Sequence, residues 1–198
     1  MTSTIAIVVW LCLLPLVPSQ LRVDLVLTGR PMKPRVAATA IRETRRIWSA
    51  YGVDVRWATP PDAGRGGALE LSITLLGGSD PGDLQTLGVT QFVEGRPLPS
   101  IRLFPDAVAA LLSSEMLVVR DCIRSSDVCQ EVLAGRVLGR ALAHEIGHYL
   151  LASRGHSRKG LMQPRPLTES LIEADARDFR LSPEDVSLLA SRRASPRR

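Results

Sequence analysis

The placement of its histidines constrains this chain more than any other feature. The chain has 198 residues and three histidines, and all three lie between positions 144 and 156. His144 and His148 enclose the segment His-Glu-Ile-Gly-His. Residues four apart lie on one face of a helix, one turn from each other, so both imidazole rings can point at the same ion. The fold must therefore place this helix beside a site that both rings can reach.

The residue types around these histidines predict a metal site. Two imidazole nitrogens at this spacing suit Zn²⁺, which binds histidine at about 2.0–2.1 Å. A hydrolytic zinc site also needs a third protein ligand and an open position for water. His156 is the strongest candidate for the third ligand, and Gly155 just before it would let the chain leave the helix and bend back toward the metal. Glu169 and Glu173 are the alternatives. Glu145 flanks the same helix face, where its carboxylate can take a proton without binding the metal.

A longer stretch around this motif resembles a known family. The residues from His144 to Pro164 are similar to the active-site stretch of the metzincin metallopeptidases, in particular their matrixin-like branch. That family combines an HExxH helix, a third histidine followed by serine, and a tight turn with a methionine beneath the metal. The segment Phe179–Leu189 (FRLSPEDVSLL) is similar to the last helix of the matrixins. The family usually places its third histidine six residues after the second, whereas the interval here is eight, and Leu151 stands where the family has a glycine.

The resemblance implies an activity. It implies a secreted zinc endopeptidase that hydrolyses a peptide or protein substrate with a zinc-activated water. Residues 164–166 would form a wall of the pocket that receives the side chain after the scissile bond. A substrate strand would pair with an exposed sheet edge, for which Gly88–Val93 is the candidate. The implied roles are zinc ligand for His144, His148 and His156, general base for Glu145, and turn methionine for Met162.

The sequence leaves two other functions open. A gluzincin-like peptidase would keep the HExxH segment and use Glu169 or Glu173 as its third ligand. An exported zinc-binding protein without catalytic activity would keep the fold and cleave nothing. Nucleic acid is not an expected partner: the 25 basic residues are interleaved with 20 acidic ones, and aromatic residues total only 4%.

The first residues predict an export signal. Ile5–Val17 is uncharged and apolar, but it is shorter than the roughly twenty residues that a membrane-spanning helix needs. It fits the apolar region of a signal peptide, with Val17 and Ser19 just before a cleavage site. We therefore expect a signal peptide over residues 1–19 and a secreted or periplasmic protein, which would associate with a membrane only if the signal is retained.

The remaining chain is expected to form one domain. It contains no internal repeat and no linker, so residues 20–190 are expected to form a monomeric zinc metallopeptidase domain, followed by a disordered basic tail over 191–198. Cys122 and Cys129 enclose a short loop, and in an oxidising compartment we expect them to form a disulfide.

The hydrophobic pattern predicts the secondary structure. Strands are expected at Leu21–Leu27, Val53–Ala58, Leu69–Leu76, Gly88–Val93 and Ile101–Phe104. Helices are expected at Arg35–Ala50, Pro105–Ser114, Asp127–Ala152 and from Pro183 onward. With the resemblance, this predicts an α+β, metzincin-like fold: a twisted, mixed five-stranded sheet with two main helices, the active-site helix, a methionine turn and a C-terminal helix.

Three local features refine this prediction. Asp127 and Gln130 have the spacing of a capping box that would open the long helix. Gly135 and Gly139 lie one turn apart inside it, which predicts close packing against another backbone. Ser182, before Pro183, is the expected N-cap of the last helix.

Overall fold

The computed structural model describes residues 20–80, 83, 85–114 and 126–194. The predicted signal peptide lies outside these residues, and so does Cys122 of the predicted disulfide. Within these ranges, no helix has both the length and the apolar character that crossing a bilayer requires.

The described strands form one mixed sheet. They are β1 (Leu21–Gly29), β2 (Val53–Trp57), β3 (Leu69–Leu75), β4 (Gly88–Val93) and β5 (Arg96–Leu103). The order across the sheet is β2-β1-β3-β5-β4. All neighbouring pairs are parallel except β4, which runs antiparallel to β5 and lies at one edge.

Five α-helices accompany the sheet in the described part of the chain. They are α1 (Pro34–Ser49), α2 (Pro105–Ser114), α3 (Asp127–Leu151), α4 (Thr168–Ile172) and α5 (Pro183–Ala194). The predicted α+β class and the mixed five-stranded sheet are therefore confirmed. The helix α5 extends into the segment 191–198 that was expected to be a disordered tail, because Arg192, Arg193 and Ala194 are residue types that favour helix.

One face of the sheet carries the core. Alternate strand residues such as Val23, Leu25, Val53 and Val55 have no exposed surface, as the period of two requires for a face covered by helices. The helices α1 and α3 join this face in one continuous apolar cluster. The sheet and α1 thus hold α3, which carries the HExxH segment, in a fixed position.

The contact between α1 and α3 confirms the close packing predicted from the glycine pair. A β-carbon at Gly135 would lie 2.7 Å from the Val36 carbonyl oxygen, and one at Gly139 would lie 2.6 Å from that of Ala40. Thr44 Oγ1 also donates a hydrogen bond of 2.9 Å to the Gly139 carbonyl. Any larger residue at the two glycines would push the helices apart.

Two expectations about element ends were wrong. Ser126, not Asp127, is the N-cap of α3: its backbone is extended and its hydroxyl accepts from the Cys129 N–H at 3.3 Å. The capping side chain must precede the first helical residue, and Asp127 is already that residue. The strand β5 begins at Arg96 instead of Ile101. Its prolines are tolerated because pairing with β3 starts only at Ser100, so the first residues of β5 have β4 as their only strand partner.

Candidate metal centre

The structure brings the three histidines together at one end of α3. His144 and His148 lie in the last two turns of the helix, and His156 lies in the loop that follows. One ring nitrogen from each lies within 4.8 Å of the others. The His156 ring stacks on that of His144 with centroids 5.4 Å apart, and it meets the His148 ring edge-on at 4.9 Å. The three side chains are close enough to bind one metal ion.

Backbone carbonyls orient the two helical imidazoles. His144 Nδ1 lies 2.7 Å from the Leu161 carbonyl oxygen, and His148 Nδ1 lies 2.7 Å from that of Ser153. A carbonyl can only accept, so each Nδ1 carries the proton and donates it. In a neutral ring the lone pair is then on Nε2, which is the atom that both rings turn toward the site. Metal-binding histidines are commonly held in this way by a partner on the other nitrogen.

The spacing of these nitrogens fits a cation. The Nε2 atoms of His144 and His148 are 3.0 Å apart. With both protons on Nδ1, two lone pairs face each other at that distance, an arrangement that a cation between them would stabilise. Two histidine nitrogens on one tetrahedral Zn²⁺ would be about 3.3 Å apart, close to the observed separation.

Burial keeps these rings neutral. It lowers the pKa of His144 to about 4, although the hydrogen bond to the Leu161 carbonyl acts in the opposite direction. Burial and the neighbouring His144 ring also lower the pKa of His148. Both imidazoles are therefore unprotonated near neutral pH, which is the state that metal binding requires.

Glu145 lies beside the cluster and is nearly buried, with 6% of its surface exposed. Burial raises the pKa of its carboxyl, while the neighbouring His148 and hydrogen bonding by Thr90 act to lower it. Thr90 of β4 also donates from Oγ1 to the Glu145 carbonyl oxygen at 2.8 Å. A raised pKa suits a carboxylate that must take up and release a proton near neutral pH.

A glycine allows β4 to approach this glutamate closely. A β-carbon at Gly88 would lie 2.9 Å from Glu145 Cγ. Only glycine leaves room for the glutamate side chain at that point. The edge strand and the HExxH helix therefore form adjoining sides of one site.

Met162 packs against the helix that carries His144 and His148, at Gly147. It is 1% exposed, and a β-carbon at Gly147 would lie within 3.0 Å of its Sδ and 3.2 Å from its Cε. Leu161, the preceding residue, supplies the carbonyl that holds His144. The turn that carries Met162 thus packs against α3 and, through the Leu161 carbonyl, orients His144.

The chain turns back toward the cluster at an unexpected residue. The helix α3 ends at Leu151, and Ala152 adopts the left-handed conformation with φ 43° and ψ 48°. The N–H groups of Ala152 and Ser153 donate to carbonyls of the last helical turn, including that of His148. These bonds are usual where a helix ends in a left-handed residue. The sequence suggested that Gly155 would make this bend, but its φ is not positive. Three helical residues after His148 and a loop of four thus bring His156 to the other two histidines.

The cluster opens into a cleft of about 830 Å³. Residues 87–92, which include most of β4, line one side, and Gln163–Pro166 line another. The segment 164–166, expected to be a pocket wall, thus lines the cleft that contains the histidines. In the described part of the chain, β4 is the edge strand of the sheet, and an edge strand carries backbone groups that can pair with another chain.

The two rival ligands lie elsewhere. Glu169 is in α4 and Glu173 directly follows that helix, and both are exposed. The described part of the chain contains one group of three potential metal ligands, and it consists of the histidines alone. The positions of Glu169 and Glu173 therefore give no support to the gluzincin-like alternative.

Sequence reasoning missed a buried arginine near the site. Arg140 is fully buried in α3, one turn before His144, and burial lowers its pKa to about 10. Its guanidinium donates to the carbonyls of Ser170, Glu173 and Asp175, and lies 3.5 Å from Glu43. The four-residue interval to His144 is a signal that could have placed it on the same helix face. Arg140 ties the segment around α4 to the metal-site helix.

Comparisons with protein-family models, with curated proteins and with solved structures found no match to this chain.

Proposed function

We propose that this protein is a secreted zinc-dependent endopeptidase with a metzincin-like, matrixin-related catalytic domain. The observation that carries the proposal is the convergence of three imidazoles on one point, with a buried carboxylate beside them in an open cleft. His144, His148 and His156 are the zinc ligands, Glu145 is the general base, and Met162 is the methionine beneath the metal.

The donor set favours zinc. Three imidazole ligands leave one tetrahedral position open, which is the arrangement of catalytic and not of structural zinc sites. When bound, zinc would lower the pKa of water toward 7 and polarise the substrate carbonyl. The carbonyls of Leu161 and Ser153 keep the Nδ1 protons of His144 and His148 in place, so both Nε2 atoms stay available to the metal.

Glu145 moves the proton. Its carboxylate accepts a proton from the attacking water and returns it to the leaving amine nitrogen. Burial raises its pKa and so brings its affinity for a proton closer to what this exchange needs near neutral pH. Thr90 fixes the helix at this point by bonding to the Glu145 carbonyl.

An extended peptide is the substrate that fits the cleft. It would lie along β4 and pair with the free edge of that strand, because main-chain hydrogen bonds can form there whatever the side chains. The side chain after the scissile bond would enter the part of the cleft bounded by Pro164 and Pro166. Secretion, and a disulfide between Cys122 and Cys129, belong to the same proposal.

The test is Glu145→Gln in the mature chain. Glutamine keeps the size of the side chain and cannot accept the proton, so the variant should bind zinc as tightly as the wild type and lose peptide hydrolysis by at least 10²-fold. The assay is cleavage of a diverse peptide library, with zinc content measured on the same samples. Glu169→Gln is the matched control and should keep full activity.

Two results would contradict the proposal. Full activity in Glu145→Gln would remove the assigned base. A wild-type chain that carries one zinc ion and cleaves no peptide in the library would instead be a metal-binding protein without catalytic activity.

A further inference from the structure

His156 is the least constrained of the three histidines. It is exposed and lies in a loop, whereas His144 and His148 belong to a buried helix. The rings of His144 and His148 are each held by a backbone carbonyl, but the His156 ring makes no hydrogen bond to any described protein atom outside the cluster. A ligand that is free to move before binding loses conformational entropy when it binds. Something other than its own ring must therefore hold His156 in place.

The next residue supplies that restraint. The Ser157 N–H donates to the Met162 carbonyl at 2.9 Å, which closes the loop back on the methionine turn. The Ser157 hydroxyl donates to Asp185 Oδ2 at 2.7 Å, across 28 positions of sequence. A hydrogen bond to a carboxylate is shorter and stronger than one between neutral groups. The backbone adjoining His156 is therefore held at two points.

Asp185 is itself fixed by the start of α5. The Ser182 hydroxyl accepts from the Asp185 N–H at 3.1 Å and donates to Asp185 Oδ2 at 2.9 Å. The first of these bonds caps the helix N-terminus, and the second joins the two side chains. Asp185 Oδ2 thus accepts hydrogen bonds from two hydroxyl groups. One belongs to Ser182, which caps α5, and the other to Ser157 in the loop of His156.

The segment before α5 is firmly attached to the domain. The Arg180 carbonyl accepts from the Leu161 N–H at 2.7 Å, and the Leu181 N–H donates to the Tyr51 hydroxyl at 2.7 Å. Leu189 of α5 packs into the core with 4% exposure. Asp185 therefore offers the loop a rigid attachment.

We propose that Asp185 is a positioning residue for the metal centre, because through Ser157 it holds the backbone that presents His156 to the ion. The inference rests on metal binding by the three histidines, as in the proposed function. It assigns to α5 a part in metal affinity, although none of its described residues belongs to the histidine cluster. Loss of a group that supports a ligand commonly weakens metal binding by 10–100-fold. Since Ser157 acts through the backbone and not on the ring, we expect the lower end, about tenfold.

Three serine variants of the mature chain test this proposal. Ser157→Ala removes the bond to Asp185 and leaves the cap of α5 intact, so its Kd for Zn²⁺ should rise about tenfold. Ser157→Thr keeps the hydroxyl and should stay near the wild-type Kd. Ser187→Ala is the matched control on the same helix: it removes a hydroxyl that donates to the Pro183 carbonyl at 2.9 Å and leaves every bond of Asp185 intact, so the Kd should stay within about twofold of the wild type.

The measurement is competition titration with Zn²⁺, repeated with Co²⁺, whose absorption spectrum reports the ligand geometry. Far-UV circular dichroism of each metal-free variant checks that it is folded. Wild-type affinity in Ser157→Ala would overturn the proposal, and so would an equal loss of affinity in Ser187→Ala, which would point to a general effect of α5 and not to Asp185. A wild-type chain that binds neither metal would overturn the proposed metal centre itself, a result distinct from either of these.

Discussion

Gly147 lies at the contact between α3 and the turn that carries Met162. A β-carbon there would come within 3.0 Å of Met162 Sδ and would lie 3.7 Å from Trp48 Cζ2. Ordinary contacts to a sulfur or carbon atom are about 3.5–4.0 Å. Met162 is 1% exposed, so it has no solvent-filled space into which it can move. Gly147→Ala therefore forces a rearrangement of the core beneath the histidines.

The expected magnitude is a balance of two effects. Replacing glycine by alanine inside a helix stabilises it by about 1 kcal/mol. Inserting a methyl group into a packed core costs about 1–3 kcal/mol. With an overlap of more than half an ångström at the sulfur, we take about 2 kcal/mol for the cost, so the net loss for Gly147→Ala is about 1 kcal/mol. In a Met162→Ala background the overlap is absent, and the same substitution should gain about 1 kcal/mol.

The assay is a double-mutant cycle of urea unfolding on metal-free protein, in which metal binding cannot contribute to stability. The effect of Gly147→Ala should differ by about 2 kcal/mol between the two backgrounds. If Gly147→Ala stabilises the protein equally with and without Met162, the Met162 side chain does not pack against Gly147.

Two further predictions concern stability. Ala152→Gly relieves a left-handed alanine and should raise the free energy of unfolding in urea by about 0.5–1 kcal/mol, whereas a loss would contradict the observed turn. Asp24→Asn should cost about 1–3 kcal/mol at pH 7, because the fully buried carboxylate accepts from Arg56 Nε at 2.8 Å and the Gly64 N–H at 3.0 Å. Burial raises the pKa of Asp24, but these bonds outweigh it and hold the pKa below 3.8. The contribution is therefore complete above about pH 4 and disappears as the pH falls through the lower pKa of the folded state. Urea curves at pH 7 and pH 3 should show the difference between wild type and variant shrinking, and a difference independent of pH would contradict this.

Local sequence patterns predicted most of the fold. Alternation in β1 and the apolar periodicity of α1 and α3 located these elements within two residues of their observed ends. The sequence also predicted the close packing at Gly135 and Gly139, because two helical glycines a turn apart are unfavourable unless a neighbour needs the space.

The failures arose where tertiary contacts override local preference. Ala152 makes the left-handed turn although alanine disfavours it, because the loop must return His156 to the helix. The predicted strand began at Ile101 and omitted the first residues of β5, which include two prolines. Proline is tolerated on an unpaired side of a strand, but which side is unpaired cannot be read from one strand alone.

The site was predicted unevenly. Spacing on one helix was enough to pair His144 with His148, since four residues always make one turn. Thr90 and Asp185 gave no comparable signal, because each reaches the site from a different part of the chain. Asp185 lies in the first turn of α5, and its bond to Ser157 depends on how two distant segments meet.

The central claim is that three imidazoles bind one divalent ion, and metal stoichiometry tests it most directly. Elemental analysis of the purified protein, saturated with Zn²⁺ and then freed of excess metal, should find one zinc ion per chain. His156→Ala should lower the affinity of the protein for Zn²⁺ by at least 10-fold, while Glu169→Ala and Glu173→Ala should leave that affinity unchanged. Absence of stoichiometric metal in the wild type, or retention of full affinity without His156, would contradict the account.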